Sequence, residues 1–300
     1  MTITRRRSGL VLTSVVSLFL GHYVWRGWSA CHPPRHVVTA EERSEARAEL
    51  PGLEEISFTG DGGAILRGWF APPTNGSVVV FVHGLEGNRA SLLPEAEVLA
   101  RHGYGALLFD GRASGESGGD ASTWGYRESE DVKHAVDFAL ARPSVRHVVV
   151  YGFSIGAAAV AHAAATDPRP AAAVLCAAWT SLHEEISHKL GMHAAFGRLP
   201  TELGYRLSGV DVSAVKATTD VPKIAPRPLL VIEGGADRDT PPFTMERVFA
   251  AAGEPKGILR VPGADHGEVI RKASAEWERT VVAFLSRAVG GEISAARFPR

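Results

Sequence analysis

VVVYGFSIGAAAVAHAA, residues 148–164, changes character at its midpoint. Its first part is β-branched and aromatic, the composition of a strand covered on both faces; its second is alanine-rich and reads as a helix. Where one gives way to the other stands Gly152-Phe-Ser154-Ile-Gly156. A G-x-S-x-G pentapeptide in this context is a nucleophile elbow, a sharp turn that holds a serine in a strained conformation with its Oγ out of the sheet. Glycines two residues to either side remove side chains that would collide in so tight a turn. The helix starting there offers free N–H groups and a positive dipole end. The alternative is a serine that merely caps a helix.

Outward from this stretch, strand and helix signals alternate. EEISFTGDGGAILRGWFAPP has alternating apolar residues on both sides of Asp61-Gly62-Gly63 and predicts a β-hairpin. SVVVFVHG, GALLFD, HVVVYG, AAAVLCAA, PLLVIEG and GILRVPG predict six further strands, with helices over 90–102, 126–141, 154–166, 244–251 and 268–289. The pattern is α/β: a mostly parallel central sheet with helices on both faces, filling residues 53–290. Between Trp179 and Pro226 the rhythm fails; about 45 residues without a strong strand predict a small cap, about 180–226, over the sheet edge.

A serine hydroxyl needs a base, and the base needs an orienting partner. LLVIEGGADRDTPP places Asp237, and LRVPGADHGEV places His266, just past successive strands, at the carboxyl ends where open α/β sheets build their sites. Asp239 shares the loop with Asp237, but the frame G-x-x-D-x-x-T-P from Gly234 to Pro241 selects Asp237. Donors for a developing oxyanion are expected from the backbone N–H groups of Leu85, in FVHGLEGN, and Ile155. His83 is read as shaping that loop.

From about Ile56 to Val289 the sequence resembles the α/β-hydrolase superfamily, and more narrowly the Bem46-like serine hydrolases. The resemblance rests on HGLEGNRASLLPEAEVLARHGYGALLFDGRASGESGG, GYRESEDVKHAVDF, GFSIGAA, GGADRDTP and GADH. It implies Ser154 as nucleophile, His266 as base, Asp237 as orienting acid, and oxyanion donors at Leu85 and Ile155. The implied activity is hydrolysis of carboxylic esters through an acyl-enzyme, with a thioesterase or peptidase using the same triad, or a catalytically silent binding module, as alternatives. One departure stands out: the family's D-x-R-G-x-G-x-S reads DGRASGES, with Ala113 in place of glycine.

Residues 1–28 differ from the rest. Arg5 to Arg7 precede an uncharged, largely apolar run from Leu10 to Trp25, about 24 Å long as a helix, with Trp25 at its end and Trp28 just beyond. A single-pass anchor is expected, with the hydrolase domain outside the cytoplasm under the positive-inside rule; a cleaved signal segment and a secreted or periplasmic enzyme is the alternative. Residues 29–52 read as a linker and 291–300 as a C-terminal tail.

The net charge of −1 over 300 residues, without a basic stripe, argues against nucleic acid as a partner and leaves a small-molecule ester or acyl substrate. No cofactor is called for. GRASGESGGD lacks the G-K-[ST] of a phosphate loop. His183, His188 and His193 recur every five residues, about 140° apart on a helix, and cannot share a metal ion. Two cysteines, Cys31 and Cys176, build no disulfide framework, and Cys176 reads as a buried thiol.

Overall fold

All eight β-rich runs become strands of one sheet: β1 (Glu54–Thr59), β2 (Ile65–Ala71), β3 (Ser77–Val82), β4 (Gly105–Phe109), β5 (His147–Phe153), β6 (Ala172–Cys176), β7 (Leu229–Gly234) and β8 (Lys256–Val261), in the order β1-β2-β4-β3-β5-β6-β7-β8. Pairing is parallel from β4 through β8; the β1–β2 hairpin joins β4 antiparallel through β2. The computed structural model describes residues 2–290, with side chains from residue 16. The tail expected over 291–300 and the side chains of Arg5 to Arg7 lie outside the described residues.

The helices are α1 (Thr2–Ala30), α2 (Ala40–Glu49), α3 (Leu93–Ala100), α4 (Glu128–Leu140), α5 (Ile155–Thr166), α6 (Leu182–Leu190), α7 (Ala194–Leu207), α8 (Ala217–Asp220), α9 (Pro242–Ala251), α10 (Val269–Lys272) and α11 (Ser274–Val289). Strand side chains alternate between faces, so β3 sends Val79 and Phe81 into one core with α3 and α11, and Val78, Val80 and Val82 into the other with α4, α5 and α9. The helix expected over 268–289 is broken at Ala273 (φ −139°, ψ 45°), and beyond the break α11 buries Trp277, Val281, Phe284 and Leu285.

A third apolar cluster lies above the carboxyl edge of the sheet. Trp124, Ile155, Trp179, Leu182, Ile186 and Tyr205 meet there with Tyr23 and Cys31 from the N-terminal region. Of the segment 180–226, α6 and α7 belong to this layer, whereas Ala217, Val221 and Ile224 join the core beneath the sheet. The region expected as a linker is docked: Thr39 and Glu42 form a capping box that starts α2, and Val38, Ala46 and Leu50 are buried in the core.

Among the described residues no helix is long and apolar enough to cross a membrane. The C-terminal half of α1 runs against α7. A Cβ on Gly27 would stand 2.0 Å from the Thr201 carbonyl oxygen, and one on Gly204 2.1 Å from that of Val24, so only glycines allow this backbone approach. Tyr23, buried at the contact, hydrogen-bonds His193 Nδ1 at 2.9 Å.

Candidate active site

The turn between β5 and α5 holds Ser154 at φ 56°, ψ −118°, a region L-residues avoid at a cost of order 1–3 kcal/mol. The surroundings enforce it. The Ser154 N–H donates to the Cys176 carbonyl at the end of β6 (2.9 Å), and the Ser154 carbonyl accepts from Ala157 at 2.9 Å to begin α5. Both flanking glycines are sterically required: a Cβ on Gly152 would meet the Gly156 oxygen at 2.2 Å, and one on Gly156 the Val82 oxygen at 2.1 Å. These contacts hold Ser154 as a turn residue whose side chain lines a cavity, which a simple helix cap does not require.

That cavity, about 270 Å³, is also lined by His266, Leu85, Ile155, Trp124 and Trp179. His266 follows β8, and its Nδ1 lies 2.9 Å from Asp237 Oδ2 beyond β7. The other oxygen of Asp237 accepts the Thr240 N–H at 2.7 Å, so the carboxylate is held at both ends and is buried. Asp265 ties the two loops together, accepting the N–H of His266 (2.9 Å) and of Arg238 (3.2 Å) through one oxygen; these bonds hold its carboxyl below the usual range. Phe153 packs on the imidazole, ring centroids 4.8 Å apart. Asp239 lines the cavity but has no bond to His266 among the described residues.

Leu85 sits in a tight turn closed by the Gly87 N–H on the Gly84 carbonyl (3.2 Å), with Glu86 at φ 60°. Gly84 lies against Ser154: an added Cβ would be 3.3 Å from the serine Cβ. Neither the Leu85 nor the Ile155 amide donates a hydrogen bond to another described group, so both are available to an oxygen in the cavity. His83 braces the turn: its Nε2 accepts from the Gly111 N–H at 2.8 Å, leaving Nδ1 to donate to the Gly84 carbonyl at 2.7 Å. Burial holds its imidazole below the ordinary value, in keeping with a neutral ring used on both nitrogens.

Sequence reasoning missed the aromatic wall. Trp124, at φ 55°, is followed by Gly125 at φ 95°, and Glu128 holds this turn from below. Its carboxylate accepts from the Thr123 N–H (2.6 Å), the Thr123 hydroxyl (2.5 Å) and the Gly125 N–H (3.0 Å). The Trp124 indole N–H donates to the Ala30 carbonyl at 3.0 Å, and its ring meets Trp179 and Tyr205 at 5.9 and 5.5 Å. The cue in sequence was Trp-Gly followed three residues later by glutamate, a braced turn immediately before a helix. Glu185 and Lys189, also unforeseen, pair at 3.2 Å on the cap side; burial pushes the Glu185 carboxyl up.

A family model described as serine aminopeptidase, S33, matches residues 73–209, which include Ser154 and end before Asp237 and His266. The uncharacterized protein Rv2307c of Mycobacterium tuberculosis is 29% identical over 274 residues, covering 89% of this chain and 91% of its own. Among solved structures, the Pyrococcus furiosus esterase Pf2001 superposes with a TM-score of 0.70 at 23% identity, over 86% of this chain and 98% of that one. The α/β hydrolase GrgF of Penicillium superposes at 0.66 and 22% identity, over 80% and 100%. The chain has the α/β-hydrolase fold, as its strand pattern predicts; the narrower likeness to Bem46-like hydrolases is not resolved by these matches.

Proposed function

From this α/β-hydrolase fold we propose that the protein is a serine hydrolase that cleaves carboxylic esters through an acyl-enzyme. The observation that carries the reading is one cavity lined by the strained Ser154 and by His266, whose far nitrogen is held by buried Asp237. In this reading Ser154 Oγ attacks the carbonyl carbon while His266 Nε2 takes its proton, and Asp237 fixes the tautomer and stabilises the imidazolium. The Leu85 and Ile155 amides receive the oxyanion. His266 returns the proton to the leaving alcohol; water, deprotonated by the same nitrogen, then releases the acid. Esterases among the structural neighbours support an ester substrate. The serine aminopeptidase description supports a peptidase as the second reading, and the cavity carboxylates Glu86 and Asp239 would suit a substrate ammonium group.

A fluorophosphonate probe tests the serine: it should label the wild type and not Ser154→Ala, whose kcat should fall by several orders of magnitude. Undiminished labelling of the alanine variant removes the proposal. Rates on matched nitrophenyl esters and aminoacyl nitroanilides distinguish esterase from peptidase.

A further inference from the structure

Exposed apolar side chains are gathered in one place. Of fifteen large exposed ones among the described residues, eleven lie on α1 or on α7 with the turn before it. Met192, Phe196, Leu199, Leu203 and Leu207 recur at spacings of three and four, so they form one stripe on the outer side of α7; Met192 is 91% exposed and Leu199 68%. The opposite side of α7 is occupied, since Gly197 and Gly204 abut α1 and Tyr205 is in the cap core. The stripe continues onto α1 through Phe196, whose ring lies 5.5 Å from Phe19 and 6.3 Å from Tyr23. α1 adds exposed Leu18, Leu20, Trp25 and Trp28.

Charge on this face is predominantly positive. Residues 1–40 contain five arginines and no acidic residue. Between Ile186 and Val210 the one carboxylate, Glu202, is buried and engaged by Arg198 and His183, both at 2.9 Å. Arg26 is exposed with no ion-pair partner among the described residues, while exposed Arg206 acts on the carboxylate of Asp211 just beyond α7. An apolar plateau with a net positive rim and interfacial tryptophans complements an anionic lipid surface. A second copy of the chain is disfavoured, because a twofold contact would set the two basic rims against each other.

We infer that the outer face of α7, together with the exposed side of α1, docks on the anionic leaflet of a phospholipid bilayer. A second cavity, about 210 Å³, lies behind this face between α1, α6 and α7, with Arg26 and Ala30 in its lining. It shares Leu85, Trp124 and Lys189 with the cavity that holds Ser154. Docking therefore gives a bilayer-borne acyl chain a largely apolar path to the serine; this part rests on the serine-hydrolase reading.

The test places an environment-sensitive fluorophore on Leu199→Cys or, as control, on Glu276→Cys of α11, in the full chain; native Cys31 and Cys176 are buried. In phosphatidylcholine–phosphatidylglycerol vesicles, brominated lipid should quench the label at 199 at least about fivefold more than that at 276. Equal quenching overturns the proposal, as does a chain that is dimeric without lipid and shields the 199 label there. Leu199→Ser with Leu203→Ser should slow hydrolysis of a long-chain ester held in vesicles by about tenfold or more and leave a short soluble ester unaffected. An unchanged vesicle rate also overturns it. If the label is quenched but Ser154→Ala retains full activity on both esters, docking stands and the serine-hydrolase reading falls.

Discussion

Replacing Asp237 by asparagine keeps the volume and removes the charge, and the surroundings leave the amide two poor choices. If its oxygen stays on the Thr240 N–H, its NH2 faces His266 Nδ1, which must then give up its proton and become the acceptor. The proton moves to Nε2, the nitrogen that should receive the serine proton, and the base is disabled. If the amide flips, its NH2 opposes the Thr240 N–H in a buried site, at a cost of about 1–3 kcal/mol. Even then the imidazolium formed during attack has lost a carboxylate partner, an interaction worth about 4 kcal/mol at 4 Å and an effective dielectric constant of 20. Either route agrees with a loss of about 10⁴ in kcat, or about 5.5 kcal/mol, seen when a triad acid is neutralised. Asp239→Asn should cost about tenfold or less, because Asp239 makes no bond to the imidazole. Initial rates on a short nitrophenyl ester at neutral pH, normalised by thermal melts of each variant, give the comparison. A crippled Asp239→Asn beside a near-normal Asp237→Asn would refute the assignment of the acid.

Glu95, buried in α3, has its carboxyl pushed up to about 7 by burial. Folded chains keep this proton where unfolded chains have lost it, so its contribution is fully present below about pH 4.5 and lost as pH rises through about 7. Denaturant melts should show the wild type losing about 3 kcal/mol relative to Glu95→Gln between about pH 4 and pH 8; parallel curves would contradict this. Ala113, where the family pattern has glycine, sits at φ 55°. Ala113→Gly should stabilise the fold by about 0.5–1 kcal/mol, relief of left-handed strain exceeding the added unfolded-state entropy, and a lowered Tm would show that the alanine methyl is needed for packing.

Legibility followed the range of the forces involved. The eight strands could be read because each is a short apolar or alternating run, most of them flanked by glycine or proline, a local pattern that the sheet only had to assemble. Ser154, Asp237 and His266 could be read because strand ends place them, and the loops after β5, β7 and β8 adjoin in the sheet order. The Trp124 wall could not: its position depends on Glu128 and on the Ala30 carbonyl, ninety-four residues away. The docking of residues 31–50 was equally hidden. TAEERSEARAEL is polar along most of its length, and among its apolar residues Ala46 and Leu50, with Val38 just before it, reach the core.

The meeting of α1 with the cap alters what it means to trim this protein. Cutting the chain after Ala30 would remove more than a terminal helix. It would take away the acceptor of the Trp124 indole N–H, Arg26 and Ala30 from the lining of the second cavity, and Tyr23 from the cap core. With Gly27 and Gly204 locking two backbones together, the pitch of the N-terminal helix and the shape of the cavities beneath the cap form a single mechanical coordinate.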